Sequence, residues 1–284
     1  RECTAICHLV RTFEDPDIIH VDGTVDPVMD AETINLELVL ADLAHVERRL
    51  EKKGCIGEER ETLEQISTGL QEGIPARTLS LSTSQLFSIK SMGLLTLKPM
   101  LYAFNVDEVD FTFGRAEASA NARKLMESIG FCDPRSDMFT IVSAQFESEV
   151  ASMSKGEQNE YMESLGFEEK RGQEVDNLLS CSVLPPMIQR LLDLSFVYTG
   201  PGVPPERSQT TRAHLFNRQT AIELASRLHG DIERGFICAE ITKAPVLLQH
   251  EDYLSAKKSG AVVTEGREYC LESNDVVLIK WKKQ

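Results

Sequence analysis

Several features that define whole classes of protein are missing from this chain of 284 residues. No apolar run approaches the roughly 20 residues that a membrane-spanning helix needs, so we expect no membrane partner. The seven cysteines include no Cys-x-x-Cys pair, and an odd number without paired spacing favours reduced thiols in an intracellular compartment. Cys3 and Cys7 lie four residues apart. Because no matching pair of Cys or His follows them, we expect no zinc site.

Basic residues are also scarce, with 30 Lys and Arg against 45 Asp and Glu and a net charge of −15. This balance argues against a protein that coats nucleic acid, and we expect no sequence-specific DNA binding. The acidic net charge still allows a local basic patch that binds a structured partner. The chain also lacks a signal-peptide pattern and begins with Arg1 rather than Met. We therefore expect an N-terminally truncated sequence, cytoplasmic in location, with an organelle also allowed because any targeting segment would be missing.

The most informative stretch is residues 98–108, Lys-Pro-Met-Leu-Tyr-Ala-Phe-Asn-Val-Asp-Glu. Residues 100–104 form an apolar run typical of a buried parallel strand, and the run ends abruptly in a polar cluster. A second strand is predicted at residues 138–142, followed by Ser143-Ala144-Gln145. Ligands of open α/β sheets bind beyond the carboxyl ends of strands, so both polar segments are expected at one crevice. Amide, carboxylate and backbone N–H groups together suit the edge of a nucleobase.

A simpler interpretation of residues 105–108 also stands. Asn105 or Asp107 would then only cap the helix that follows, as these residue types commonly do.

The segments around this stretch predict an α/β protein with a helical insertion. A strand is predicted at residues 4–11, and a helix at 116–129 separates the two strands of the crevice, which favours a parallel sheet with a right-handed crossover. From Ala31 the pattern becomes helical. Apolar residues recur there at heptad spacing, in a first run (Leu36, Val39, Leu43, Val46, Leu50) and a shorter second run (Leu63, Ile66, Leu70). Two such runs predict an exposed helical hairpin, with ordinary core helices as the alternative.

The last third of the chain predicts a second, smaller domain. Strands are predicted at residues 195–198, 213–216, 236–241, 268–271 and 275–281, with a helix at 220–228. This mixture is typical of a ubiquitin-like β-grasp, although the fold alone does not indicate a ligand.

Five segments, taken in order, resemble the Obg-like ATPase (YchF) family of P-loop NTPases. They are residues 13–21, 34–43, 94–99 running into 105–108, 142–144, and 231–240. The resemblance implies an α/β, Rossmann-like P-loop G domain (residues 1–32 and 94–193) without its N-terminal strands. It also implies an inserted α-helical coiled-coil arm (residues 33–93) and a C-terminal ubiquitin-like TGS domain (residues 194–284).

The resemblance also implies the residues of a nucleotide site. Asn105, Val106 and Glu108 match the family's Asn-x-x-Glu, which replaces the guanine-reading Asn-Lys-x-Asp, and ATP is then preferred over GTP. Ser143 and Ala144 match the loop whose backbone supports the base. His20 is implied as the residue that positions the attacking water, although a packed structural histidine remains the alternative.

One family feature is absent from the printed sequence: Gly-x-x-x-x-Gly-Lys-(Ser/Thr), which cradles phosphates, occurs nowhere in it. Mg²⁺ ligands are likewise expected outside this chain. Without these groups the phosphoryl charge is not stabilised, and we expect this polypeptide alone to hydrolyse no ATP. The resemblance as a whole implies a translation-associated ATPase that binds ribosomes. The alternative is a non-enzymatic module in which the arm and the TGS domain bind a ribosome or protein partner.

Overall fold

The computed structural model describes residues 2–21, 23–130, 132, 136–164, 180–200 and 211–282. The chain divides into two compact units, unit 1 at Arg1–Leu192 and unit 2 at Asp193–Gln284. The sequence also predicts a helix at residues 173–179 and a Gly- and Pro-rich loop at 200–205, and the helix and most of the loop lie outside the described residues. None of the described helices combines the length and the apolar character needed to cross a membrane.

Unit 1 contains a parallel sheet of three described strands in the order β1-β2-β3, namely β1 (Ile6–Arg11), β2 (Met100–Asn105) and β3 (Asp137–Val142). The central strand β2 is buried over its first five residues because neighbours cover both of its edges and helices cover its faces. The predicted apolar strand and its parallel pairing with β3 are therefore confirmed. The eight helices given for unit 1 are α1 (Pro27–Leu50), α2 (Glu58–Gln71), α3 (Thr83–Ser88), α4 (Glu108–Thr112), α5 (Arg115–Ser128), α6 (Ala144–Ala151), α7 (Lys155–Ser164) and α8 (Ser180–Leu191).

The start of α1 differs from the sequence pattern, which favours a loop at residues 25–27 and becomes helical only from Ala31. Asp26 caps the helix, and its Oδ1 accepts from the backbone N–H groups of Val28 and Met29, both at 3.1 Å. Pro27 occupies the first helical turn, where its fixed φ suits a helix and its missing N–H costs nothing. The Asp-Pro pair is thus a helix start rather than a continuing loop.

The packing of α1 against α2 corrects the predicted heptad seam. Val39 and Val46 are buried with Leu63, Ile66 and Leu70, whereas Leu36 is 53% exposed. Asp42 is fully buried on the same helix. Its Oδ2 accepts from the Thr96 backbone N–H at 2.7 Å and from the Thr96 hydroxyl at 2.9 Å. The contact surface of α1 is therefore set by this polar anchor as well as by apolar spacing.

Unit 2 is built on a mixed sheet of five described strands in the order β5-β4-β8-β6-β7. The strands are β4 (Ser195–Thr199), β5 (Arg212–Phe216), β6 (Phe236–Lys243), β7 (Val263–Glu265) and β8 (Asp275–Trp281). The helices are α9 (Ala221–Leu228), α10 (Gly230–Arg234), α11 (Ala244–Leu247) and α12 (Tyr253–Lys258). Only β4 and β8 pair in parallel within this described sheet.

The strand predicted at residues 268–271 is reduced to a single antiparallel bridge between Cys270 and Thr220. The Tyr269 carbonyl accepts from the Ala221 N–H at 2.9 Å, and the Leu271 N–H donates to the Gln219 carbonyl at 2.9 Å. The backbone of this segment is therefore bonded to the start of α9, and the short strand β7 pairs with β6 instead.

His8 on β1 makes the stability of unit 1 sensitive to acid. The residue is 8% exposed, and within the described part of the chain its buried Nδ1 has no hydrogen-bond partner. Burial lowers the pKa of His8, so the unfolded chain binds this proton more readily than the folded one. The free energy of unfolding should therefore fall as pH drops below about 6.5, the usual His value, and be unaffected by His8 above it. We expect the urea-denaturation midpoint of His8→Leu to change less between pH 7.5 and pH 5.5 than the midpoint of the wild type does. Parallel pH profiles for the two proteins would contradict this.

Candidate functional site

The three parallel strands of unit 1 end at one level. Arg11, Asn105 and Val142 occupy equivalent positions in the register of β1, β2 and β3. Beyond these ends, Thr12 donates to the Asn105 carbonyl from its backbone N–H at 3.0 Å and from its hydroxyl at 2.9 Å. The Val106 N–H donates to the Val142 carbonyl at 2.9 Å. The segments leaving the three strands are therefore tied together at the carboxyl edge of the sheet.

The two polar segments predicted to share a crevice are in direct contact. Asn105 Oδ1 accepts from the backbone N–H of Ala144 at 2.9 Å. Ser143 is fully buried and caps α6, with its hydroxyl accepting from the Phe146 N–H at 3.4 Å. The predicted adjacency of Asn105 and Ser143 is confirmed. Whether they bind a base stays a prediction.

The capping interpretation of the polar cluster is also partly right. Asp107, rather than Asn105, caps α4, and its Oδ1 accepts from the Asp110 N–H at 2.7 Å. Val106 is buried in the apolar core of unit 1. Only its backbone is then available to a ligand. Asn105 does not cap α4, and its Oδ1 instead accepts from the first N–H of α6.

Glu108 begins α4 and is half-buried. Its Oε1 accepts a short hydrogen bond from the hydroxyl of Tyr161 on α7. The same hydroxyl lies 3.1 Å from Oε2 of Glu149 on α6. Sequence reasoning missed Tyr161 and Glu149, because contacts between helices 12 and 53 residues apart leave no local pattern in the chain.

A cavity of about 340 Å³ adjoins the same edge of the sheet. Its lining includes Thr12, Val106, Asp110 and Lys124. Burial, followed by the neighbouring carboxylates of Asp107 and Glu117, raises the pKa of Asp110. The cavity is thus lined by a carboxylate from α4 and by the cationic Lys124 from α5.

His20 lies in the loop between β1 and α1. Its Nε2 is 3.1 Å from Asp30 Oδ2, which fixes the orientation of the ring. Arg11 braces this loop by donating to the carbonyls of Phe13 at 2.9 Å and Ile18 at 3.0 Å. His20 and Arg11 line a cavity of about 450 Å³, which is distinct from the group formed by Asn105, Glu108, Ser143 and Ala144.

A parallel sheet with amide, hydroxyl and backbone N–H groups gathered at the carboxyl ends of its strands is the arrangement of the ligand-binding α/β class of proteins. Sequence comparison narrows this class. The chain is 34% identical over 286 residues to the ribosome-binding ATPase YchF of Bacillus subtilis, covering 98% of this chain and 73% of that protein. It is 28% identical over 298 residues to Obg-like ATPase 1 of Saccharomyces cerevisiae, covering 99% and 70%. The chain therefore belongs to the YchF/Obg-like ATPase family.

Two further comparisons agree with this assignment. Residues 207–282 match the family model YchF-GTPase_C, described as a protein of unknown function (DUF933). The YchF GTPase of Schizosaccharomyces pombe superposes with a TM-score of 0.76 at 25% identity, covering 98% of this chain and 72% of that one. The second unit and the sheet of the first thus both have counterparts in the same family.

Proposed function

We propose that the Asn105–Ala144 site binds the base of an adenine nucleotide and prefers ATP to GTP. The observation that carries this is the hydrogen bond from the Ala144 N–H to Asn105 Oδ1 at 2.9 Å. Guanine presents two acceptors, O6 and N7, along this edge, and a backbone N–H already committed to Asn105 offers O6 no donor. Adenine presents an amino donor and the N7 acceptor, which an Asn amide matches with its oxygen and its NH₂ group.

The oriented amide of Asn105 supports the same choice. An amide oxygen has two lone pairs, so Oδ1 can accept from Ala144 and from an adenine amino group together. The oxygen would instead repel O6 of guanine. A bidentate contact of this kind discriminates by about 1–3 kcal/mol, which is roughly 5- to 150-fold in affinity.

Hydrolysis is proposed only where a phosphate-binding segment completes the site. We expect this chain alone to hydrolyse no ATP. In a completed site, His20, oriented by Asp30, is proposed to position the attacking water. Among the described residues no group of three His, Cys, Asp or Glu side chains is placed to hold a metal. No step is assigned to Mg²⁺.

Ribosomes are the proposed partner, since the Bacillus subtilis relative is named a ribosome-binding ATPase. We propose that the α1–α2 pair is the coiled-coil arm of the family, that unit 2 is its TGS domain, and that both bind the partner in the cytoplasm. The competing proposal is a binding module without nucleotide, built from the same two parts.

Calorimetric titration with ATP, ITP and GTP separates these proposals. We expect the wild-type chain to bind ATP weakly, and ITP and GTP more weakly still, because neither has the 6-amino group. Asn105→Ala should reduce the ratio of ATP affinity to GTP affinity by roughly 5- to 150-fold. Ser148→Ala, at an exposed position further along α6, serves as the control and should bind like the wild type. Equal affinity for ATP and GTP in the wild type would refute the base site, and no binding of any nucleotide would favour the module.

A further inference from the structure

The hydroxyl of Tyr161 connects both sides of the proposed base site. On one side it donates to Glu108, three residues after Asn105 and at the first turn of α4. On the other it lies 3.1 Å from Glu149 of α6, the helix whose first residue is Ala144. Tyr161 itself belongs to α7. A single phenol therefore bridges the segment that carries Asn105 and the helix that carries Ala144.

The ring of Tyr161 is held by a stack of aromatic side chains. It stacks on Phe146 with centroids 6.3 Å apart, and Phe146 packs against Phe111 at 5.3 Å. Phe111 and Phe146 are both fully buried, on α4 and α6 respectively. Because the stack fixes the ring, the position of the hydroxyl is fixed as well, and the bridge to Glu108 does not depend on a mobile side chain.

The contacts also determine which group Glu108 can bind. A phenol has one hydrogen and donates it to one acceptor at a time. The hydrogen bond to Glu108, burial and the nearby Glu149 all raise the pKa of Tyr161, so the hydroxyl keeps its proton at neutral pH. Glu108 therefore has a protonated donor on α7, which it shares with Glu149.

We propose that Tyr161 is a positioning residue for base selectivity, which holds the Glu108 carboxylate out of the base site and so withholds a guanine-binding group. This inference rests on the proposed function. Guanine offers a ring N–H and an amino group side by side, which a carboxylate accepts in pairs, whereas adenine has no ring N–H at that position. The Glu108 carboxylate can therefore bind guanine when it is released from Tyr161, and it does not contact the base while Tyr161 holds it.

The test replaces Tyr161 with Phe, which retains the aromatic stack and removes only the hydroxyl. Titration with ATP, ITP and GTP should show GTP gaining roughly 10-fold over ATP relative to the wild type, as expected for a hydrogen bond to a charged group. GTP should also gain over ITP, since ITP lacks the amino group. If Tyr161 has a purely structural role, Y161F should weaken the binding of all three nucleotides alike and leave the ratios of their affinities unchanged.

Two further variants make the result specific to Glu108. The double variant Y161F/E108Q should lose the gain in GTP binding, because the amide cannot accept from both guanine donors. Glu108→Asp restores the Asp of the guanine-reading motif and should favour GTP with or without Tyr161, so it tests only whether a carboxylate at this position reaches guanine. Glu149→Gln retains an acceptor for the phenol and should keep the wild-type ratio.

The outcomes distinguish this inference from the function on which it rests. If N105A weakens ATP binding while Y161F keeps the wild-type ratio of GTP to ATP affinity, the role of Tyr161 is overturned and the base site stands. If N105A leaves ATP binding unchanged, the base lies elsewhere and both proposals fall.

Discussion

Replacing Asp137 with alanine should lower the free energy of unfolding of unit 1 by about 3–5 kcal/mol, the usual cost of breaking a buried ion pair. Asp137 accepts from Arg77 Nε at 3.0 Å through Oδ1 and at 3.3 Å through Oδ2. The two side chains are 0% and 4% exposed. In the described part of the chain the Nη2 atom of Arg77 is buried without a hydrogen-bond partner. Loss of the carboxylate would thus leave a guanidinium in the protein interior without its main counter-charge.

Two comparisons make this prediction specific to the buried pair. The double variant Arg77→Met with Asp137→Leu should recover most of the loss, because apolar residues of similar volume often replace a buried pair at no cost. Glu64→Ala breaks the Arg60–Glu64 pair, which is about half exposed at both ends, and should change stability by less than about 0.5 kcal/mol. Urea denaturation followed by circular dichroism measures all three. A loss below about 1 kcal/mol for Asp137→Ala would show that water reaches Arg77.

The core of unit 1 could be predicted from the sequence because its signals are local. The apolar run before Asn105 and the helix between the two strands are sufficient for a parallel pair, and parallel strands bring their carboxyl ends to one edge. The contact between Asn105 and Ala144 then follows from topology. The position of α5, with Ala118 and Ala122 buried, agrees with the predicted helix at residues 116–129.

Other features depended on contacts that no local pattern records. Asp42 is buried where Thr96, 54 residues away, presents two donors to it. Helix α8 contains Pro185 and Pro186, which argue against a helix in any sequence reading. Strand β7 has three residues and little apolar character, so β6 rather than its own sequence determines its position.

The candidate site divides in the same way. Asn105, Ser143 and Ala144 directly follow strands and could be assigned by their position in the chain. Tyr161 lies in a polar helix and contacts both Phe146 of α6 and Glu108 of α4, which are distant from it in the sequence. The sequence therefore indicates which residues meet at the carboxyl edge of the sheet, whereas the contact between Glu108 and Tyr161 is visible only in the fold.

Gly235 at the start of β6 should tolerate no side chain. A Cβ built there would lie 2.1 Å from the backbone oxygen of Lys282 and 3.1 Å from that of Asp231. Its φ of −87° suits alanine, so the expected effect is steric alone. Moving Lys282 away would break the bond from its N–H to the Gly235 carbonyl at 2.9 Å and disturb the pairing of Phe236 with Trp281. We expect Gly235→Ala to destabilise unit 2 by about 3 kcal/mol, the upper end of the overpacking range.

The matched control is Gly230→Ala in the same short helix, where a Cβ would meet nothing within 4 Å. That variant should be neutral or slightly stabilising, since alanine restricts the unfolded chain more than glycine does. Fluorescence of Trp281, the only tryptophan of the chain, follows both variants in urea because it lies beside Lys282. Equal midpoints for Gly235→Ala and Gly230→Ala would mean that the end of β8 moves aside freely, and that the close approach at Gly235 contributes nothing to the sheet.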